Sequence, residues 1–324
     1  MKVAGRHELN SMDGMGCYKI TMEGNGELNM GKMANVLREA DRKYTWQDGK
    51  KLEIGGRTLI MGILNVTPDS FSDGGKWNSV DKAVQHMLEM VVNGADIIDI
   101  GAESSRPGFV TMSAKDEIER LKPFLEAVVP ACPVPVSIDT FKAETAAFAA
   151  EHGVHILNDI WGLQYEEEPG EMAKVAARYD LPVVVMHNRN SKEYKGDIID
   201  SMRSFFLKSI EIADKAGIDL DKLILDPGIG FGKTVEGNLE VMNRLQELKQ
   251  FDGRRYPVLL GTSRKSFIGN TLDLPVDERM EPTGATCVLG ITKGCEIMRV
   301  HDVLPISRMC KITDAILAAG SRKG

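Results

Sequence analysis

The chain is expected to fold as a (β/α)8 (TIM) barrel with a short N-terminal hairpin and an extension. Three observations predict this. Short β-branched apolar runs alternate with amphipathic stretches of helical period from Leu59 to Ala319, as parallel βα units buried on both faces require. There are eight of each, the barrel number. The Gly-rich fingerprint that follows the first strand of a doubly wound open sheet is missing.

Residues 1–44 are rich in Met, Gly, Asn and charge and hold no sustained apolar run. They are expected to form a mobile or peripheral extension, with at most a short helix over Lys32–Lys43. Residues 45–324 form the barrel domain. Lys50–Thr58 is expected to be a small hairpin turning at Gly55-Gly56. Leu59–Asn65 is the first barrel strand, closed by a loop of Thr, Pro, Asp, Ser and Gly, and Val80–Val92 has the period of the helix that returns it. Strands then follow at Asp96–Ala102, Pro135–Thr140, His155–Asp159, Pro182–His187, Leu223–Asp226, Pro257–Thr262 and Glu296–His301. Helices are expected at Lys115–Val129, Ala143–His152, Met172–Tyr179, Ile198–Ala216, Val235–Leu248, Thr283–Thr292 and Leu304–Ala319.

Composition narrows the function. A net charge of −7 over 324 residues argues against a general nucleic-acid or membrane-surface binder and leaves room for a local basic pocket. No apolar stretch approaches the ~20 residues of a membrane span. No apolar segment follows basic residues at the N-terminus, which argues against secretion. The five Cys, at 17, 132, 287, 295 and 310, show no CxxC spacing. They read as reduced thiols in a cytoplasm, without a zinc site.

The carboxyl ends of the strands carry the chemistry, because ligands bind at that end of parallel α/β folds. In order they present Asn65, then Glu103-Ser104-Ser105-Arg106-Pro107-Gly108, Asp139-Thr140, Asn158-Asp159, Met186-His187-Asn188-Arg189, Asp226-Pro227-Gly228, Ser263-Arg264-Lys265-Ser266 and Arg299-Val300-His301-Asp302. Polar groups at a buried strand's mouth cost roughly 1–3 kcal/mol each when unpaired. Eight in succession therefore describe a ring around one pocket. For a single residue the competing reading is a helix N-cap, and that reading is preferred for Thr140 and Asp302. It does not account for Arg106, Lys265, Arg299 and His301. Asp139, Asn158 and Asp226 suit a flat heterocycle rich in N–H donors. The cationic group suits a phosphate or diphosphate, which barrels often hold after strands seven and eight. Asn65 offers an oxygen to a Mg²⁺ that shares those phosphates.

Gly228-Ile229-Gly230-Phe231-Gly232-Lys233-Thr234 has neither P-loop nor G-x-G-x-x-G spacing. Its glycines are expected to turn the backbone over the mouth. Phe231 either stacks on a ring or fills the core. His187 has no neighbouring nucleophile motif, so a structural or pocket-lining role is expected.

With these residues assembled, the chain resembles the dihydropteroate synthases from about Thr45 onward. The motifs are GILNVTPDSFSDGG (62–75), GAESSRPG (101–108), SIDT (137–140), LNDI (157–160), LDPGIGFGK (225–233), TSRKSF (262–267) and RVHDV (299–303). The resemblance implies condensation of 4-aminobenzoate with 6-hydroxymethyl-7,8-dihydropterin diphosphate to give 7,8-dihydropteroate and diphosphate in folate synthesis. It assigns Asp139, Asn158, Asp226, Lys265, Met186 and Phe231 to the pterin. It assigns Asn65, Arg299 and His301, with Arg106, to Mg²⁺ and diphosphate, and Phe71, Ser105, Arg106, Pro107 and Ser266 to 4-aminobenzoate. It names Lys265, Arg299, His301 and Asp139 as catalytic, Mg²⁺ as cofactor and a cytoplasmic homodimer as the assembly. Ser105 stands where the family usually has Thr, Phe109 where smaller residues are common, and Asn188-Arg189 where many members have Gly-Pro. The same pterin slot serves methyltetrahydrofolate-corrinoid methyltransferases and non-catalytic pterin binders. The methyltransferases do not need the RVH end or the NVTPDSF loop, and a non-catalytic binder would typically have lost Lys265, Arg299 or the loop Asp residues, all of which are retained here.

Overall fold

A computed structural model of the chain describes residues 41–67, 75–103 and 111–320. The chain opens on an antiparallel hairpin, β1 (Arg42–Thr45) with β2 (Lys51–Ile54). There follow β3 (Leu59–Asn65), α1 (Gly75–Val92), β4 (Ile97–Gly101), α2 (Ala114–Ala131), β5 (Val136–Asp139), α3 (Ala143–Glu151), β6 (Ile156–Asp159), α4 (Glu171–Tyr179), β7 (Val183–Met186), α5 (Ile198–Ala216), β8 (Leu223–Asp226) and α6 (Val235–Asn243). A two-residue ribbon, β9 (Gln250–Phe251) with β10 (Arg254–Arg255), precedes β11 (Leu259–Leu260), α7 (Ser266–Leu272), α8 (Met280–Thr292), β12 (Ile297–Val300) and α9 (Val303–Gly320). Eight parallel strands run in the order β11, β12, β3, β4, β5, β6, β7, β8. A parallel bridge between Leu225 and Val258 joins the two ends of that sheet, so the barrel closes.

The period of two along each strand divides the core. Ile98, Ile100, Val136, Ile138, Leu157, Val183, Val185, Leu223, Leu225, Leu260, Met298 and Val300 face outward into one large cluster under the helices. Leu59, Met61, Ile97, Ile156, Val184, Ile224, Leu259 and Ile297 face inward and fill the lower barrel. The hairpin seals that lower end, because Tyr44, Leu52 and Ile54 belong to the same inner cluster. Tyr44 also donates its hydroxyl to the Asp221 carbonyl at 2.8 Å. Tyr44→Ala is expected to lower stability by about 3 kcal/mol, through lost burial and the cavity left behind. Denaturant melts check this; turnover of the folded fraction, set at the other end of the barrel, should stay within twofold.

The hairpin corrects the expectation of a turn at Gly55-Gly56. The turn lies at Asp48-Gly49, where Gly49 has φ +85° and the Asp48 carboxylate accepts the Lys50 N–H at 3.1 Å. Asp-Gly is the stronger hairpin signal, and Gly55-Gly56 links the hairpin to β3. Arg42 and Lys43 are strand residues rather than the end of a helix; Lys32 to Ala40 lie outside the described residues. The stretch read as one helix, Val235–Leu248, ends at Asn243 and resumes as a 3₁₀ turn over Leu245–Leu248. The strand expected at Pro257–Thr262 is shorter, partly because the buried Glu296 carboxylate takes the Val258 N–H at 2.7 Å. Helix α7 was not anticipated.

Candidate active site

Strand parity explains why distant residues meet at the mouth. Asp99, Asn158, Asp226 and Arg299 each follow an inward-facing Ile by two residues, and Asp139 follows the buried Ser137 by two. All five therefore point into the barrel above its apolar floor. Four of them form one network. Arg299 donates Nε to Asp99 Oδ2 at 2.7 Å and Nη2 to Asp139 Oδ2 at 2.5 Å. Asn158 donates Nδ2 to the same Asp99 oxygen at 3.0 Å. That bond leaves the Asn158 carbonyl oxygen as the acceptor offered elsewhere.

Asp226 and Lys265 stand beside this network. A methyl group built on Gly261 would lie 3.8 Å from Lys265 Nζ, 3.9 Å from Asp226 Oδ2 and 3.9 Å from Arg299 Cβ. The glycine thus leaves open the space these three groups border. Lys265 Nζ also donates to the Ile229 carbonyl and sits 4.7 Å from the centre of the Phe231 ring. Phe231 is half-buried beneath that ammonium, so it is a wall of the mouth rather than core. The loop carrying it needs its first glycine. Gly228 has φ +61°, and a Cβ there would lie 2.0 Å from the His187 carbonyl oxygen. Asp226 Oδ1 accepts the Gly228 N–H at 2.7 Å. Met186, buried at the end of β7, packs against the same glycine.

Burial sets the electrostatics. It raises the Asp139 carboxyl to about 7; the Arg299 charge opposes that rise, while Asp99, Glu117 and Asp159 add to it. It raises Asp226 against the pull of Lys265, and lowers Lys265 to about 8 against the pull of Asp226. Burial also works against the Arg299 charge, but Asp99 and Asp139 outweigh it and hold the guanidinium above its usual range. Desolvated groups of both signs, poised near neutrality within one cleft, are characteristic of a reactive site.

The remaining expected residues divide. His301 is oriented by Ser263, whose hydroxyl lies 2.9 Å from His301 Nδ1 and accepts the His301 N–H at 3.1 Å. Asn65 ends β3 exposed at the mouth, and Ser266 is exposed at the start of α7 beside Lys265. Phe71, Ser105, Arg106 and Pro107 lie outside the described residues. The N-cap reading of Thr140 is corrected. The Thr140 hydroxyl accepts the Lys142 N–H at 3.3 Å and donates to Glu117 at 3.2 Å, so it sits outside α3, whose cap is Lys142. Asp302 accepts two bonds from Arg264, at 2.9 and 2.5 Å. Asp302 also directly precedes α9, and its carbonyl accepts the Ile306 N–H at 3.3 Å.

Sequence reasoning missed Asp99 and Lys233. Asp99 is fully buried inside β4, two residues before the strand ends. A charge within the run Ile97-Ile98-Asp99-Ile100 was the available signal. Lys233 is also buried, and it donates to the Gly228 and Phe231 carbonyls at 2.9 and 3.1 Å and to His187 Nδ1 at 3.0 Å. Burial lowers Lys233 to about 7 and holds His187 well below its usual value. His187 is therefore a neutral acceptor that braces the Gly228–Lys233 loop.

Comparisons with known proteins place this geometry among relatives. Residues 61–301 match the family model described as pterin binding enzyme. The dihydropteroate synthase of Clostridium beijerinckii is 53% identical over 269 residues, 83% of this chain and 97% of that protein. A Clostridium difficile dihydropteroate synthase, crystallised in the presence of pteroic acid, superposes with a TM-score of 0.78 at 48% identity, covering 82% of this chain and 98% of that one. A Xanthomonas albilineans dihydropteroate synthase with 4-aminobenzoic acid gives 0.77 at 36% identity, covering 84% and 97%.

Proposed function

The chain belongs to the dihydropteroate synthase family of pterin-binding enzymes, transferases of folate biosynthesis, and on that premise we propose how its own residues carry the reaction. The substrates are 6-hydroxymethyl-7,8-dihydropterin diphosphate and 4-aminobenzoate; the products are 7,8-dihydropteroate and diphosphate. The observation that carries this reading is the shared mouth: Lys265, Asp226 and Arg299 border one space above Gly261, and Arg299 ties that space to Asp139, Asp99 and Asn158.

Asp139, Asp226 and the Asn158 carbonyl accept from the N–H edge of the heterocycle, and Lys265 donates to its carbonyl oxygen. Met186 and Phe231 wall the ring. Arg299 and His301 face the diphosphate, with Arg106. Departure is dissociative. The bond from the pterin methylene carbon to the diphosphate oxygen breaks, and its electron pair leaves on the diphosphate. Arg299 and His301 stabilise the charge that grows there, while Asp139 and Asp226 steady the electron-poor methylene. The amine nitrogen of 4-aminobenzoate then bonds to that carbon and releases its proton to solvent. Ser266, with Phe71, Ser105, Arg106 and Pro107, receives the aminobenzoate. Among the described residues no group of three His, Cys, Asp or Glu is arranged to hold a metal. The single exposed carboxamide oxygen of Asn65 suits an ion that takes most of its ligands from phosphate and water, as Mg²⁺ does. Mg²⁺ held by Asn65 would neutralise diphosphate charge. A cytoplasmic homodimer belongs to the same reading. No helix among the described residues is long and apolar enough to cross a membrane.

A coupled assay for diphosphate release tests this. Release should require both substrates and Mg²⁺; tight pterin binding without turnover would overturn it. The pH profile of kcat/KM reports groups of the free enzyme. Below about 7 Asp139 takes up a proton and stops accepting, and above about 8 Lys265 loses the proton it donates. A bell with limbs near these values is expected. A profile flat from pH 6 to 9 would remove both groups from the reaction.

A further inference from the structure

We propose that Asp99 is a positioning residue for diphosphate departure: from inside β4 it locks the Arg299 guanidinium so that Nη1 faces the leaving group. The inference rests on the reading above and assigns a role to a residue that reading does not use. Asp99 is fully buried, and one of its oxygens, Oδ2, accepts from both Arg299 Nε and Asn158 Nδ2. Asp139 takes Arg299 Nη2. Two fixed bonds from two strands define the plane and rotation of a guanidinium fork. Among the described residues Nη1 then has no acceptor, and the function proposed above gives it the diphosphate. The same Asp99 oxygen also accepts from the Asn158 amide, a bond that a carboxamide oxygen at this position would keep.

A second observation marks the cluster as built for more than packing. Asp99 Oδ1 and Ser137 Oγ are buried and have no hydrogen-bond partner. They are register neighbours on β4 and β5 and share the inward face. Most buried polar groups are hydrogen-bonded, so two adjacent ones left open on the inward face call for a functional explanation.

The test compares Asp99→Asn with Arg299→Ala in the full chain. Asn keeps the shape of Asp and an acceptor for Arg299 and Asn158 but loses the charge that fixes the guanidinium. Supporting groups around reactive centres typically cost roughly 10- to 100-fold when altered. Asp99→Asn should lower kcat by that factor while the KM for 4-aminobenzoate stays within threefold. Calorimetry should show tenfold or greater loss of affinity for inorganic diphosphate with Mg²⁺, and less than threefold loss for 6-hydroxymethylpterin. Equal weakening of both ligands, or wild-type kcat, would overturn the proposal. If Arg299→Ala itself left diphosphate affinity unchanged, the assignment of Arg299 in the function reading would fail instead. If Asp99→Asn did not fold, Asp99→Glu, which keeps the buried charge but displaces it, provides the second reading: it should lower kcat and diphosphate affinity while aminobenzoate KM stays within threefold, and wild-type kcat there would overturn the proposal.

Discussion

Arg299→Ala is expected to abolish measurable turnover and to weaken the fold at the same time. Two carboxylates, the fully buried Asp99 and the half-buried Asp139, share this guanidinium. Removing one partner of a buried ion pair leaves the other charge uncompensated and typically costs 3–5 kcal/mol. Here part of that cost is avoided by protonation. Arg299 opposes the upward shift of Asp139, so without it the carboxyl keeps its proton to still higher pH. The variant should therefore be least destabilised in mild acid and increasingly destabilised as pH rises through neutrality. On the catalytic side, losing one preorganised donor to a developing anion costs about 100- to 1,000-fold in kcat. The two effects separate in a double variant. Adding Asp99→Asn to Arg299→Ala should restore much of the stability, since one stranded charge is gone, and none of the rate. Thermal melts with single-turnover assays measure both. Full activity in the double variant would show that Arg299 serves only to neutralise Asp99.

Asp226→Ala and Lys265→Ala should each lower kcat/KM by roughly 100- to 1,000-fold, and the pair together should lose little more than the worse single variant. The two groups border the same space above Gly261 and each shifts the other's titration. On the proposed reading they grip adjacent atoms of one ring. Groups that act as a unit are strongly non-additive. Asp226→Ala carries a further consequence, because its carboxylate also holds the Gly228 N–H at the start of the Phe231 loop. Its affinity for pterin should fall further than that of Lys265→Ala. Fully additive losses would mean that the two side chains serve separate sites.

Much of this was legible in the sequence because parallel barrel strands are short, apolar and flanked by turn residues. β3 and β8 run over the ranges expected, and α5 likewise. The polar strand ends were legible for the same reason: Asn158, Asp226 and Arg299 interrupt runs that burial would otherwise keep apolar. What escaped was tertiary. Asp99 lies within a strand rather than at its end, so the pattern of polar strand ends does not include it. The pairing of Arg299 with Asp139 joins side chains 160 positions apart, across strands that are not neighbours. The sequence suggested a carboxylate half and a cationic half; in the fold the two interlock. Gly55-Gly56 and Asp48-Gly49 both carry turn signals, and the Asp-Gly pair sets the hairpin. Burying Tyr44 in the barrel floor is a packing choice that no local pattern announces. Thr140 has the residue type of a cap, but Glu117, from helix α2, claims its hydroxyl.

The central claim is that one barrel mouth holds a flat nitrogen heterocycle next to its diphosphate. A crystal structure of the protein with 6-hydroxymethylpterin diphosphate and Mg²⁺ tests it directly. The ring should lie against Asp139, Asn158 and Asp226 with Lys265 at its carbonyl oxygen, and the diphosphate should reach Arg299 Nη1 and His301. A ring bound elsewhere, or a diphosphate turned away from Arg299 while the ring occupies this mouth, would contradict it.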